Sequence, residues 1–269
     1  MKRLIQPMMA ATLTTTLIWL TACATTNQIT DKNRFLAQTH YDIAITSFKT
    51  GDLRESLREL LKTVQLNPEL AEAHNALGMV YHALEHLEES LTHYEKAVKF
   101  KPSFSEAFNN MGTLFIDLGR YDDAVESFQV ALGDILYRTP ALAEGNMGWA
   151  YYKKGDVELG LKHLRNAVAT HPKFCRGYEW LARISLDQDK AEEVDKIYSR
   201  FDRHCAQDTE VSAFLPKDHI HQMQYYFALS LIKTGRVEQA RDMLARCALK
   251  DAEKGYGAQC QASLQELTH

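Results

Sequence analysis

From residue 37 onward, large apolar residues, small residues and polar residues recur in blocks of nearly constant length. A glycine or alanine stands at residues 44, 78, 112, 148, 182 and 228, each inside the same hydrophobic frame, and the first three intervals are 34, 34 and 36. Such a period predicts two antiparallel helices per block. A unit of that size cannot close a core alone, so its apolar face is shared with its neighbours along a stack.

The clearest block is AEAHNALGMVYHALEHLEESLTHYEKAVKFKP, where Leu77-Gly78 is followed by Tyr81, Ser90, Tyr94, Ala97 and Pro102. This is the tetratricopeptide pattern. Small residues at positions 8, 20 and 27 let partner helices approach closely, and proline at position 32 stops the second helix because it lacks an N–H. Met111-Gly112, Phe115, Ala124, Phe128 and Ala131 mark the next unit, and Met147-Gly148, Tyr151, Gly160, Leu164, Ala167 and Pro172 the one after. Ile43-Ala44, Ser47, Ser56, Leu60 and Pro68 give a weaker first unit, aligned by its Gly51-Asp52 turn with Gly119-Arg120, Gly155-Asp156 and Gly235-Arg236. A fifth unit, with Leu181-Ala182, Val194 and Tyr198, conforms least, whereas a sixth is clear again at Phe227-Ala228, Leu231, Ala240 and Leu244. The expected fold is all-α: a right-handed superhelical solenoid of about six tetratricopeptide repeats over 37–70, 71–104, 105–140, 141–174, 175–208 and 221–254. A capping helix is expected over 255–269.

The first residues are of another kind. Lys2 and Arg3 precede an apolar stretch from Met8 to Leu20, too short to span a bilayer, which reads as a secretory leader. It ends in Leu20-Thr21-Ala22-Cys23, which resembles a bacterial lipobox, so residues 1–22 are expected to be removed and Cys23 to be lipidated. Ala24 rather than aspartate follows, and the lipoprotein resemblance then implies an outer-membrane anchor with a periplasm-facing body. Residues 23–36 would be the lipidated cysteine and a flexible tether. The chain of 269 residues is 45% hydrophobic, enough for a large shared core, and its net charge of −4 argues against a nucleic-acid surface.

Cys175, Cys205, Cys247 and Cys260 remain, an even number suited to an oxidising compartment, with three connectivities open. The repeat frame places Cys175 at position 1 and Cys205 at position 31 of one repeat, at facing helix ends. Cys247 lies on a face that the following segment, with Cys260, would cover. Bonds 175–205 and 247–260 are the pairing this favours, with free buried thiols as the alternative. No phosphate-binding loop, G-x-S-x-G or H-E-x-x-H occurs, and no closely spaced Cys/His set suggests zinc. His219 and His221, in the excess before the sixth repeat, read as solvated loop histidines, and His40 and His74 as packing residues. Asp122-Asp123 and Glu88-Glu89 suit the positive ends of second helices. The chain reads as a non-enzyme, with no metal, no small-molecule substrate and no cofactor beyond the lipid on Cys23.

Tetratricopeptide stacks turn positions 2, 5, 9 and 12 of each first helix toward a concave surface. On this frame the groove would hold Tyr41, Ile45, Phe48, Asn75, Met79, Asn109, Trp149 and Tyr152. Two apolar aromatic patches stand out, at the first and fourth repeats, and would suit an extended or helical hydrophobic peptide. The alternative for Tyr41, Ile45 and Phe48 is packing against the tether or an adjacent helix.

A lipobox followed by six such repeats resembles the type IV pilus pilotins, the PilF, PilW and Tgl group of lipoproteins. The segment ALGDILYRTPALAEGNMGWAYYKKGD carries the more specific likeness, with Asp134, Leu136, Tyr137 and Pro140 ahead of Glu144, Asn146 and Gly148. Pro172-Lys173-Phe174-Cys175 and the distant Cys205 resemble the Tgl-type branch. The resemblance implies a pilotin that binds secretin subunits and promotes their localisation and multimerisation in the outer membrane. The alternative function is a lipoprotein adaptor for peptidoglycan hydrolases or synthases.

Overall fold

The computed structural model describes residues 30–213, 215–249 and 255–267. Cys23, the leader and the start of the tether lie outside the described residues. Helix pairs succeed one another along the chain: α1 (Asp31–Lys49) with α2 (Leu53–Leu66), α3 (Ala71–Ala83) with α4 (Leu87–Phe100), and α5 (Ser105–Asp117) with α6 (Tyr121–Gly133). Then come α7 (Pro140–Lys154) with α8 (Val157–Thr170), and α9 (Cys175–Asp187) with α10 (Ala191–Phe201), which runs into a π-helical turn over Asp202–Ala206. A short α11 (Thr209–Ser212) precedes α12 (Lys217–Lys233), α13 (Val237–Ala248) and α14 (Gly255–Glu266). No strand occurs among the described residues.

The small residues of the frame do the work expected of them. A Cβ on Gly78 would meet the Tyr94 ring at 2.5 Å, and one on Gly148 would meet the Gly160 carbonyl oxygen at 2.9 Å. Each first helix therefore rests directly on its second helix. Tyr94, Phe128 and Leu164 fill the space so defined and are fully buried. Within three of the pairs an ionisable residue at position 4 meets position 23: His40 with Glu59 (2.5 Å), His74 with His93 (3.0 Å) and Glu144 with His163 (3.0 Å). The position-4 histidines thus pack, and they do so as hydrogen-bonded partners.

The chain departs from the sequence expectation at two places. Helix α1 begins at Asp31, inside the segment expected to be tether, because the Thr30 hydroxyl accepts the Asn33 N–H and caps it. His219 and His221 are not solvated loop residues: both lie on α12, which starts four residues ahead of the sixth-repeat frame. His221 is 4% exposed. Helix α12 packs on α9 and α10, so the stack continues past the excess sequence.

The two-residue slip after the third repeat has a local cause. Asp134 ends α6, accepting the Leu136 N–H at 2.9 Å and the Ser105 hydroxyl at 2.5 Å. That turn buries Tyr137 and leaves Ile135 and Leu136 in solvent. Cys175 is bonded to Cys205, from the start of α9 to the π-helical turn, and Cys247 to Cys260, from α13 to α14. The Cα separations are 5.8 and 5.9 Å.

Candidate protein-binding groove

Contacts between successive first helices follow a fixed offset, in which position 5 of one repeat meets position 6 of the next. Asn110 donates to the Asn75 side-chain carbonyl at 3.1 Å, Asn109 donates to Asn110 at 3.4 Å, and Asn146 donates to Asn109 at 3.1 Å. A chain of amides thus ties α3, α5 and α7 together. Asn75 and Asn109 are only 7% and 9% exposed, so they form the floor of the surface. Asn110 and Asn146, one position further on, line it.

The expected aromatic patches are largely joints between repeats. Tyr41, Ile45 and Phe48 are half-buried against the α3 residues Ala73, Ala76, Leu77 and Val80, which is the adjacent-helix packing. Trp149 stacks on Trp180 at 5.2 Å with the rings 9° from parallel. The Tyr152 hydroxyl donates to Asp187, and burial, then that carboxylate, push it up to about 12. Gly145, at position 5 of the fourth repeat, is covered by the Phe174 ring. Phe48 and Met79 nevertheless keep part of their surface in the groove.

Two recesses adjoin along the concave side. One of about 780 Å³ is lined by Phe48, Met79, His82, Asn110, Thr113 and Arg176. The other, of about 500 Å³, is lined by Thr113, Leu142, Asn146, Phe174, Arg176 and Leu215. Thr113 and Arg176 belong to both, so the two recesses form one trough. Its far wall comes from the excess sequence: Val211 and Leu215 pack on the core around α9, and Lys173 pairs with Asp208 at 2.9 Å. His219 pairs with Glu179 at 2.6 Å. Burial raises the Glu179 carboxyl above its ordinary value, against the opposing pull of His219. Among the described residues, no group of three or more His, Cys, Asp or Glu is placed to hold a metal ion.

Asn110, Asn146 and Trp180 were outside the positions expected to face the groove. All three occupy position 6, and only the spacing of Asn75, Asn110 and Asn146 hinted at them.

Tetratricopeptide-repeat models match residues 71–104 and 107–140. The chain is a tetratricopeptide-repeat solenoid. Its structure is similar to that of PilW, a widely conserved type IV pilus biogenesis factor, with a TM-score of 0.72 and 18% identity over 87% of this chain and 98% of that one. It is also similar to PilF of Pseudomonas aeruginosa, at a TM-score of 0.66 and 15% identity over 86% of this chain and 99% of that one. The Cut9–Hcn1 hetero-tetramer of the APC/C matches at a TM-score of 0.66 and 16% identity, over 88% of this chain but only 42% of that one. Identities this low speak for the fold. No curated protein sequence matches the chain.

Proposed function

We propose that this solenoid is an outer-membrane lipoprotein pilotin, which binds secretin subunits of the type IV pilus and promotes their localisation and multimerisation. The observation that carries the reading is likeness to PilW, itself a type IV pilus biogenesis factor, over 87% of this chain and 98% of that one, behind a leader that ends in Leu20-Thr21-Ala22-Cys23. In this account acyl chains on Cys23 supply the address, each buried CH₂ contributing about 0.8 kcal/mol. The trough between α1 and α12 supplies the grip. A short tether joins the two functions and raises the effective concentration of bound secretin at the membrane. The role is one of holding and delivery, and it requires no covalent chemistry from the chain.

Replacement of Cys23 by serine tests this. The account expects the protein to leave the membrane fraction and secretin multimers to fall with it. Normal multimers beside a soluble variant would overturn the anchoring mechanism. Co-purification of a peptidoglycan hydrolase, with pili unaffected by deletion, would favour the adaptor instead.

A further inference from the structure

The trough carries one cation that no carboxylate among the described residues contacts. Arg176 stands at the junction of the two recesses, exposed, and its guanidinium makes no ion pair or hydrogen bond among the described residues. The other ionisable groups around it are engaged. Lys173 is held by Asp208 and Glu210, His82 by Asp117, and Arg183 by Asp187. The carboxylate nearest in influence, Glu179, is 2% exposed and bonded to His219.

Arg176 is also oriented. Its guanidinium lies over the Trp180 ring, 5.9 Å from the centroid, and Trp180 is stacked in turn on Trp149. A cation held over an indole face keeps its N–H donors for a planar acceptor, and a carboxylate can take two of them at once. Beside it, the Asn146 side-chain carbonyl accepts no hydrogen bond among the described residues, although its amide donates to Asn109 and Thr113. An unpaired acceptor lining a groove suits a peptide N–H. Apolar side chains flank the cation on both sides: Phe48 and Met79 toward α1, Leu142 and Leu215 toward α12.

We infer that the trough binds an extended peptide segment in which one acidic side chain, seated on Arg176, is flanked on both sides by apolar residues. The inference deepens the pilotin reading by naming the chemistry of the segment that is gripped. A polyanion does not fit, since among the described residues Arg176 is the one guanidinium lining the trough and the whole chain carries a net charge of −4.

The test uses the mature chain in detergent and a random twelve-residue peptide library displayed on phage. Selected peptides should share an aspartate or glutamate between apolar positions. As synthetic peptides they should change the emission of Trp149 and Trp180, the tryptophans beyond the leader. Arg176→Gln, at an exposed position, should leave the thermal melt unchanged and weaken binding about tenfold, the scale of a lost charge-assisted pair. Changing the peptide acid to its amide should weaken binding equally, and combining both changes should add little. A selected set without an acidic position, binding that survives Arg176→Gln within twofold, or no selection above background would each overturn the inference. Twelve-residue peptides tiled along a type IV pilus secretin separate it from the reading beneath it. If acidic library peptides bind through Arg176 and no secretin peptide does, the pilotin reading fails and the groove chemistry stands. If secretin peptides bind without Arg176, the reverse holds.

Discussion

The Nδ1 atoms of His74 and His93 lie 3.0 Å apart, with the two rings stacked 24° from parallel. The Nε2 of His74 is 2.9 Å from the Pro68 carbonyl oxygen, which can only accept, so that nitrogen carries the proton. Neutral His74 then presents a lone pair at Nδ1, and the N–H of His93 donates to it. One proton fits between these rings; a second would point two N–H donors at each other and leave a buried cation. Burial first, then His74 and Lys96, hold the His93 imidazole down to about 4, and burial lowers His74 as well.

A pH dependence follows. The unfolded chain takes up these protons near the ordinary value of 6.5, whereas the folded chain takes the His93 proton only near 4. Stability from the pair is therefore complete above about pH 6.5 and is lost as the pH falls toward 4. Thermal melts across that range should show the loss. His93→Phe, which keeps the stack with Tyr81 and removes the titration, should flatten the same part of the curve. Parallel profiles for the two proteins would sink this account of the pair.

Close contact between α7 and α8 gives a second expectation. A methyl group on Gly148 would press on the Gly160 carbonyl oxygen and the Leu164 N–H, both at 2.9 Å, and backbone cannot step aside as a side chain can. Gly148→Ala should cost about 1–3 kcal/mol by overpacking. A urea midpoint equal to that of the parent protein would contradict the packing.

The turn in the second repeat points the other way. Glu85 holds φ +63°, where the first, third, fourth and sixth repeats place a glycine, and its side chain makes no hydrogen bond or ion pair among the described residues. Left-handed backbone costs an ordinary residue about 1–2 kcal/mol, and glycine returns part of that gain through its freer unfolded chain. Glu85→Gly should raise stability by about 0.5–1 kcal/mol, measured by denaturant unfolding. Destabilisation would mean that Glu85 has a role in the turn beyond its backbone angle.

What the sequence disclosed depended on whether a feature kept the repeat period. Gly78, Gly112 and Gly148 were legible because close helix approach demands a small residue at a fixed position, whatever the neighbouring repeats do. The groove was legible only in part. A per-repeat list cannot see that positions 5 and 9 engage position 6 of the following unit, so Trp180 and Asn146 fell outside it while the buried Asn75 and Asn109 fell within. Residues 209–220 have no period at all. Their role as a wall beside Arg176 emerges from Val211, Leu215 and His219 reaching back to α9, a contact set by tertiary packing alone.

The central claim is that the concave trough, rather than the convex second helices, holds a secretin subunit. A photo-crosslinking amino acid placed at Met79 or Leu142, in the trough, and at Glu95, exposed on α4, tests it in cells that assemble type IV pili. The account predicts secretin adducts from residues 79 and 142 and none from residue 95. Adducts from residue 95 with none from the trough would contradict it.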